Sequence, residues 1–101
     1  MANKYVAKAR TWVCDTTGVV IKRATNCVMA ITYVGDSSAA ADAHFEVATL
    51  DAAGTGKGDV FSESYATAKN FVDYRHGMEV MVDGGYYVTV PAHGKIYIQE
   101  K

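Results

Sequence analysis

Residues 78–99 read Met78-Glu79-Val80-Met81-Val82-Asp83-Gly84-Gly85-Tyr86-Tyr87-Val88-Thr89-Val90-Pro91-Ala92-His93-Gly94-Lys95-Ile96-Tyr97-Ile98-Gln99. Met78, Val80 and Val82 recur at every second position, the period of a strand with one face buried. Asp83-Gly84-Gly85 and Pro91-Ala92-His93-Gly94 interrupt the pattern with residues that favour turns. The stretch therefore predicts a three-strand antiparallel meander.

Upstream, the same period continues. Residues 4–13 predict a strand ending in Thr11-Trp12-Val13, followed by a turn at Asp15-Thr16-Thr17-Gly18 and a second strand from Val19. The richest run spans Thr25 to Val34, with Cys27, Met29, Ile31 and Tyr33 on one face and Val28, Ala30 and Val34 on the other. A strand apolar on both faces is central or lies at a subunit contact. His44 to Leu50 alternates with Phe45 and Val47 inward and His44 and Glu46 outward, and Gly54-Thr55-Gly56-Lys57-Gly58-Asp59 reads as a hairpin tip. Ser62 to Lys69 carries helix formers with Ser62 available as a cap, so it predicts a loop or short helical turn, with a strand from Asn70 to Tyr74. Seven to eight short strands with a turn about every 10 residues specify an all-β fold, a β-sandwich or jelly roll, over residues 1–101 as a single domain.

Size and composition bound the function. With 101 residues, half of them apolar and 21% charged, the chain suits one globular domain. It is too short for a Rossmann unit with a substrate domain or for a (β/α)8 barrel. Tyr is the dominant aromatic, seven against three Phe and one Trp, which suits half-exposed sheet faces and interfaces. The net charge is −1, which argues against nucleic acid as the partner. That charge is unevenly spread: residues 1–30 carry Lys4, Lys8, Arg10, Lys22 and Arg23 against Asp15, a net of +4, and residues 31–101 carry five bases and ten acids, a net of −5. Such a split is compatible with solvated strand faces, with head-to-tail pairing, or with one end seated on an acidic surface.

The opening Met1-Ala2-Asn3-Lys4-Tyr5-Val6 lacks the apolar core of a secretory signal, and Val28-Met29-Ala30-Ile31 falls far short of the roughly 20 residues that span a bilayer. The expectation is a protein made in the cytoplasm with no membrane partner. Cys14 and Cys27 fall on strands read as neighbours, where a bridge is geometrically possible, but cytoplasmic synthesis favours free thiols. Their spacing fits no zinc pattern.

Tests for chemistry return little. Gly56-Lys57 resembles the end of a phosphate loop, but Asp51 stands where its first Gly belongs and Gly58 replaces the hydroxyl that would hold magnesium. His44, His76 and His93 are scattered and read as surface residues, and Ser62 and Ser64 beside Glu63 lack a nucleophile elbow. Asp36 with Asp42, and Asp59 with Glu63, read as turn formers, with loose calcium binding as the alternative. Trp12, Tyr86, Tyr87 and Tyr97 would make a sugar-stacking platform if they shared one face. No catalytic residue, metal or cofactor is expected.

Three segments carry a resemblance. Val72-Asp73-Tyr74-Arg75-His76-Gly77-Met78-Glu79, Gly85-Tyr86-Tyr87-Val88-Thr89-Val90 and Gly94-Lys95-Ile96-Tyr97-Ile98 are similar to the C-terminal half of small virion proteins of tailed bacteriophages. That pattern runs as a V-D-[FY]-x-G-G-[IL] strand, a G-[LI]-Y-V-x-[LV] strand and a short strand after a Gly turn. Gly18-Val19-Val20-Ile21 and Val28 to Val34 resemble its earlier strands, so the likeness spans residues 18–98, with its specific part in 72–98. His76 stands where the pattern has Gly, and Tyr86 where Leu or Ile is usual. The resemblance implies a structural protein of the virion. A capsid decoration (cement) protein on the outside of the shell leads, with a tail or head–tail component, or a carbohydrate-binding module aiding adsorption, as alternatives. It implies a homo-oligomer whose partners are the major capsid protein or other virion subunits. The basic N-terminal residues Lys4, Lys8 and Arg10, with Trp12 and Tyr33, are the expected interface.

Overall fold

The computed structural model describes residues 3–21, 26–40 and 42–101. Lys22 and Arg23 of the basic N-terminal third, the predicted strand start at Thr25, and Ala41 lie outside them. Nine strands are present among the described residues: β1 (Lys4–Val6), β2 (Thr11–Cys14), β3 (Gly18–Ile21), β4 (Asn26–Gly35), β5 (His44–Leu50), β6 (Lys57–Tyr65), β7 (Val72–Val82), β8 (Gly85–Thr89) and β9 (Gly94–Glu100). They form a five-stranded sheet in the order β1-β2-β9-β4-β7 and a four-stranded sheet in the order β3-β8-β5-β6. Every strand pair is antiparallel.

The pairs β2–β9, β3–β8, β4–β7 and β5–β6 nest one inside another in sequence. The chain thus doubles back at the β5–β6 hairpin into one long antiparallel ribbon. Wrapping that ribbon places alternate pairs in opposite sheets, which is the jelly-roll winding. Between the sheets lies the core, where Tyr33, Tyr86, Ile96, Ile98, Val28, Val47 and Val88 are each less than 2% exposed. Burying an aliphatic side chain of this size contributes about 1.5–3 kcal/mol. The Tyr33 and Phe45 rings bridge the two layers, stacked with centroids 4.0 Å apart and planes 3° from parallel. A radius of gyration of 12.7 Å matches the roughly 13 Å of a single compact domain this long.

Several sequence expectations are corrected. Residues 4–13 are not one strand: a 3-10 turn at Ala7–Ala9, closed by Arg10 in the left-handed region (φ 50°), separates β1 from β2. The loop or helical turn predicted from Ser62 is strand β6 as far as Tyr65 and a loop over residues 66–71, and β7 continues past Gly77 with an irregularity in its register to β4. Within β4, alternation changes phase at Met29, where the ladder to β7 and β9 is interrupted between Val28 and Ala30. Val28 therefore shares the core face with Ile31 and Tyr33. Cys14 and Cys27 are not on adjacent strands, because β9 lies between β2 and β4, and both thiols are free. Burial in the core, and after it the charge of Asp15, pushes the Cys14 thiol up to about 12.

The outermost described residues are tied to the fold. Asn3 accepts from the backbone N–H groups of Asp15 and Thr16 and donates to the Thr16 carbonyl. At the other end Glu100 N–H donates to Arg10 O and Lys101 N–H to Cys27 O.

Candidate functional site

The β-sheet registers carry two rows of side chains across the outer face of the five-stranded sheet. One row runs Lys4, Val13, Tyr97, Thr32, Tyr74; the next runs Val6, Thr11, Gln99, Ala30, His76. Directly opposed residues share a face, so these ten side chains point the same way. Their alternates Trp12, Cys14, Ile31, Tyr33, Ile96 and Ile98 point into the core. β4 is the expected strand apolar on both faces, and it is an interior strand, paired with β9 on one side and β7 on the other. Its outer side belongs to a surface where Val72 is 57% and Tyr74 58% exposed. Tyr74 and His76, two apart on β7, stack with centroids 4.9 Å apart.

A groove of about 510 Å3 opens at one end of this face, between the 3-10 turn, β7 and the C-terminus. Its walls include Lys8, Arg10, Met29, Tyr74, His76 and Lys101. Glu100 also borders it, but the Glu100 carboxylate turns inward to accept the buried Tyr86 hydroxyl. Burial, and next that hydrogen bond, holds the Tyr86 phenol far above its ordinary range. The groove is therefore basic and aromatic. At the opposite end of the face a second hollow, about 430 Å3, is bordered by Asp15, Asp36, His93, Lys95 and Tyr97.

The five expected interface residues divide. Lys4, Lys8 and Arg10 are exposed on or beside this outer face. Trp12 faces inward and packs against Tyr5, centroids 5.3 Å apart. Tyr33 is 1% exposed and belongs to the core, so its ring reaches no partner. Nor do Trp12, Tyr86, Tyr87 and Tyr97 form one platform. Tyr97 is on the outer face of the five-stranded sheet, Tyr87 pairs outward on the other sheet, and Tyr86 and Trp12 point inside.

The four-stranded sheet holds a second polar grouping that sequence spacing missed. Glu46, expected to face outward, does so but is only 3% exposed. Lys57 donates to Glu46 Oε1 at 2.6 Å and Thr89 Oγ1 donates to the same oxygen at 3.2 Å. Burial alone would raise the Glu46 carboxyl, but the Lys57 hydrogen bond and charge, with His44 and Thr89, outweigh it and hold the group below its ordinary value. His44 Nε2 is 3.5 Å from Glu46 Oε2 and 3.0 Å from Glu63 Oε2. The β5–β6 hairpin tip spans residues 51–56, ending short of the expected 54–59 because Lys57 already pairs with Leu50, and it is organised by Asp51, which accepts from Thr55 N–H. That bond, first among several backbone donors, keeps the Asp51 carboxyl low.

Comparison with known proteins finds no family model, no curated protein and no solved structure that matches this chain.

Proposed function

We propose that this chain is a non-enzymatic structural subunit of a tailed-phage particle, a decoration protein that seats the outer face of its five-stranded sheet on the shell of major capsid protein. The observation that carries the reading is the pair of registered rows on that face. They present Val13, Thr32, Tyr97 and Tyr74 on a rigid platform rimmed by Lys4, Lys8 and Arg10. Aromatic and apolar side chains with a basic rim suit an acidic partner surface, because charge complementarity steers the encounter and the rings supply buried area. Repetition on a symmetric lattice, and oligomerisation of the subunit, multiply modest contacts into stable occupancy. The likeness of residues 72–98 to small virion proteins supports the particle context, and the jelly-roll winding recurs in viral capsid domains.

The test is a binding assay on purified particles stripped of this chain. The triple variant K4E/K8E/R10E, all surface residues, should retain the wild-type circular dichroism spectrum and lose at least tenfold in occupancy. Unchanged occupancy defeats the assignment. Copy number by quantitative mass spectrometry separates the shell from the tail: hundreds per particle fit decoration, and six, twelve or a few tens fit a tail or head–tail part.

A further inference from the structure

We propose that His44, Glu46 and Glu63 form a binding site for one first-row divalent transition ion, best suited to Zn2+, on the outer face of the four-stranded sheet. The strands assemble it. His44 and Glu46 are two apart on β5 and share a face. The β5–β6 register sets Glu63 directly opposite Glu46. Two carboxylates facing each other across a ladder repel, the more so when one is buried, so the arrangement favours a cation between them.

Two of the three donor–donor distances suit a small ion as they stand, and the third, between the carboxylates, closes by rotation of the exposed Glu63 side chain. The three donor atoms lie within 4.8 Å of one another. Tetrahedral zinc with bonds of about 2.0–2.1 Å sets its ligand atoms about 3.3 Å apart. The two His44 Nε2 distances to the carboxylates, 3.0 and 3.5 Å, bracket that edge. Glu46 is already oriented for the task. Lys57 and Thr89 occupy its Oε1 and leave Oε2 turned towards His44. Such outer hydrogen bonds fix a ligating carboxylate in place. The His44 ring is braced by Tyr65, stacked with centroids 4.7 Å apart.

Imidazole plus two carboxylates selects zinc-like ions. Calcium and magnesium want about six oxygen ligands, which this cluster does not supply. Lys57 neutralises one carboxylate, yet with a neutral imidazole the group keeps a net charge of −1 towards the ion. Glu63 is 56% exposed, so a fourth coordination position opens to solvent.

The measurement is calorimetric titration of ZnCl2 into the full chain after chelation and dialysis. Saturable one-to-one binding is expected. E63Q and H44Q should each weaken it at least tenfold, and MgCl2 should give no heat. Glu63 is half exposed on an edge strand, so E63Q is expected to fold. Its unfolding midpoint should match wild type without metal and fail to rise with Zn2+, whereas the wild-type midpoint rises. No saturable heat, or zinc binding that survives E63Q and H44Q and vanishes in C27S, overturns the proposal.

Discussion

At the scale of single residues, Tyr33 sits 1% exposed between the two sheets. A tyrosine in an apolar strand suggests an amphipathic contact, with the ring bound and the hydroxyl wet. In the fold the ring stacks on Phe45, and its hydroxyl is buried with no hydrogen-bond partner among the described residues. Burial, with the nearby Asp36 charge, accordingly raises the phenol above its ordinary range. An unpaired buried hydroxyl carries a desolvation cost without return. Y33F is therefore expected to stabilise the protein by up to about 1 kcal/mol in urea unfolding, since it keeps the ring and removes the orphan. Gly94 closes over the same ring: a Cβ there would lie 2.6 Å from both the Tyr33 hydroxyl and its ring carbon. With Phe45 behind it the ring has nowhere to retreat, so G94A should cost about 1–3 kcal/mol by overpacking. If Y33F destabilised as much as G94A, the hydroxyl would have a partner that this account lacks.

At the scale of strands, β7 makes the clearest argument. Between Ala30↔His76 and Val28↔Val80, β4 spends one intervening residue and β7 spends three. The extra length is absorbed at Gly77, in the left-handed region at φ 72°. Nothing lies within 4 Å of where its Cβ would be, so backbone conformation alone sets the cost of substitution. G77A should lower stability by about 1–2 kcal/mol, and G77N by less, because asparagine tolerates that conformation better. Equal losses for both would place the cost in packing instead. The irregularity also breaks an eleven-residue edge strand, a device that hinders uncontrolled edge pairing. Strand existence was legible wherever turn residues bracketed an alternating run, as at Asp83-Gly84-Gly85. Phase was not, because the break at Met29 reverses which side chains face inward and no residue there announces it. Helix formers in Ser62 to Tyr65 misled for a related reason: that stretch of β6 pairs with β5, and the pairing overrides local propensity, while residues 66–69 form the expected loop. Alternation did set Glu46 on the face opposite Phe45 and Val47. What it could not show was the cover supplied by Lys57 and Thr89, or Glu63 set opposite, because register joins residues distant in the chain.

At the scale of the whole molecule, the nested ribbon makes the two ends of the chain unequal. β1 is a three-residue edge strand that pairs only with β2. β9 is inserted between β2 and β4, so the last strand supplies the middle of the larger sheet. Residues 96–99 pair with residues 11–14 on one side while the same strand pairs with β4 on the other. Ile96 and Ile98 are both fully buried there. Their burial alone is worth about 3–6 kcal/mol. Loss of two ladders of backbone hydrogen bonds adds to this, against a typical total stability of about 5–15 kcal/mol. Truncation to residues 1–93 should therefore abolish the cooperative unfolding transition. Truncation to residues 7–101 should leave a folded chain with a lowered midpoint, since the described losses are an edge ladder, the Asn3 hydrogen bonds and the Tyr5–Trp12 ring contact. Circular dichroism and thermal melts of the two fragments decide it. A cooperative melt from residues 1–93 would mean that the sheets close without their central strand, and the ribbon account of the fold would fail. The same asymmetry bears on docking, because β9 contributes Tyr97 and Gln99 to the proposed contact face. The platform is complete only once the C-terminal strand is in place, so the proposed capsid binding would require the finished fold, and an N-terminal fragment holding Lys4, Lys8 and Arg10 alone is expected not to bind particles.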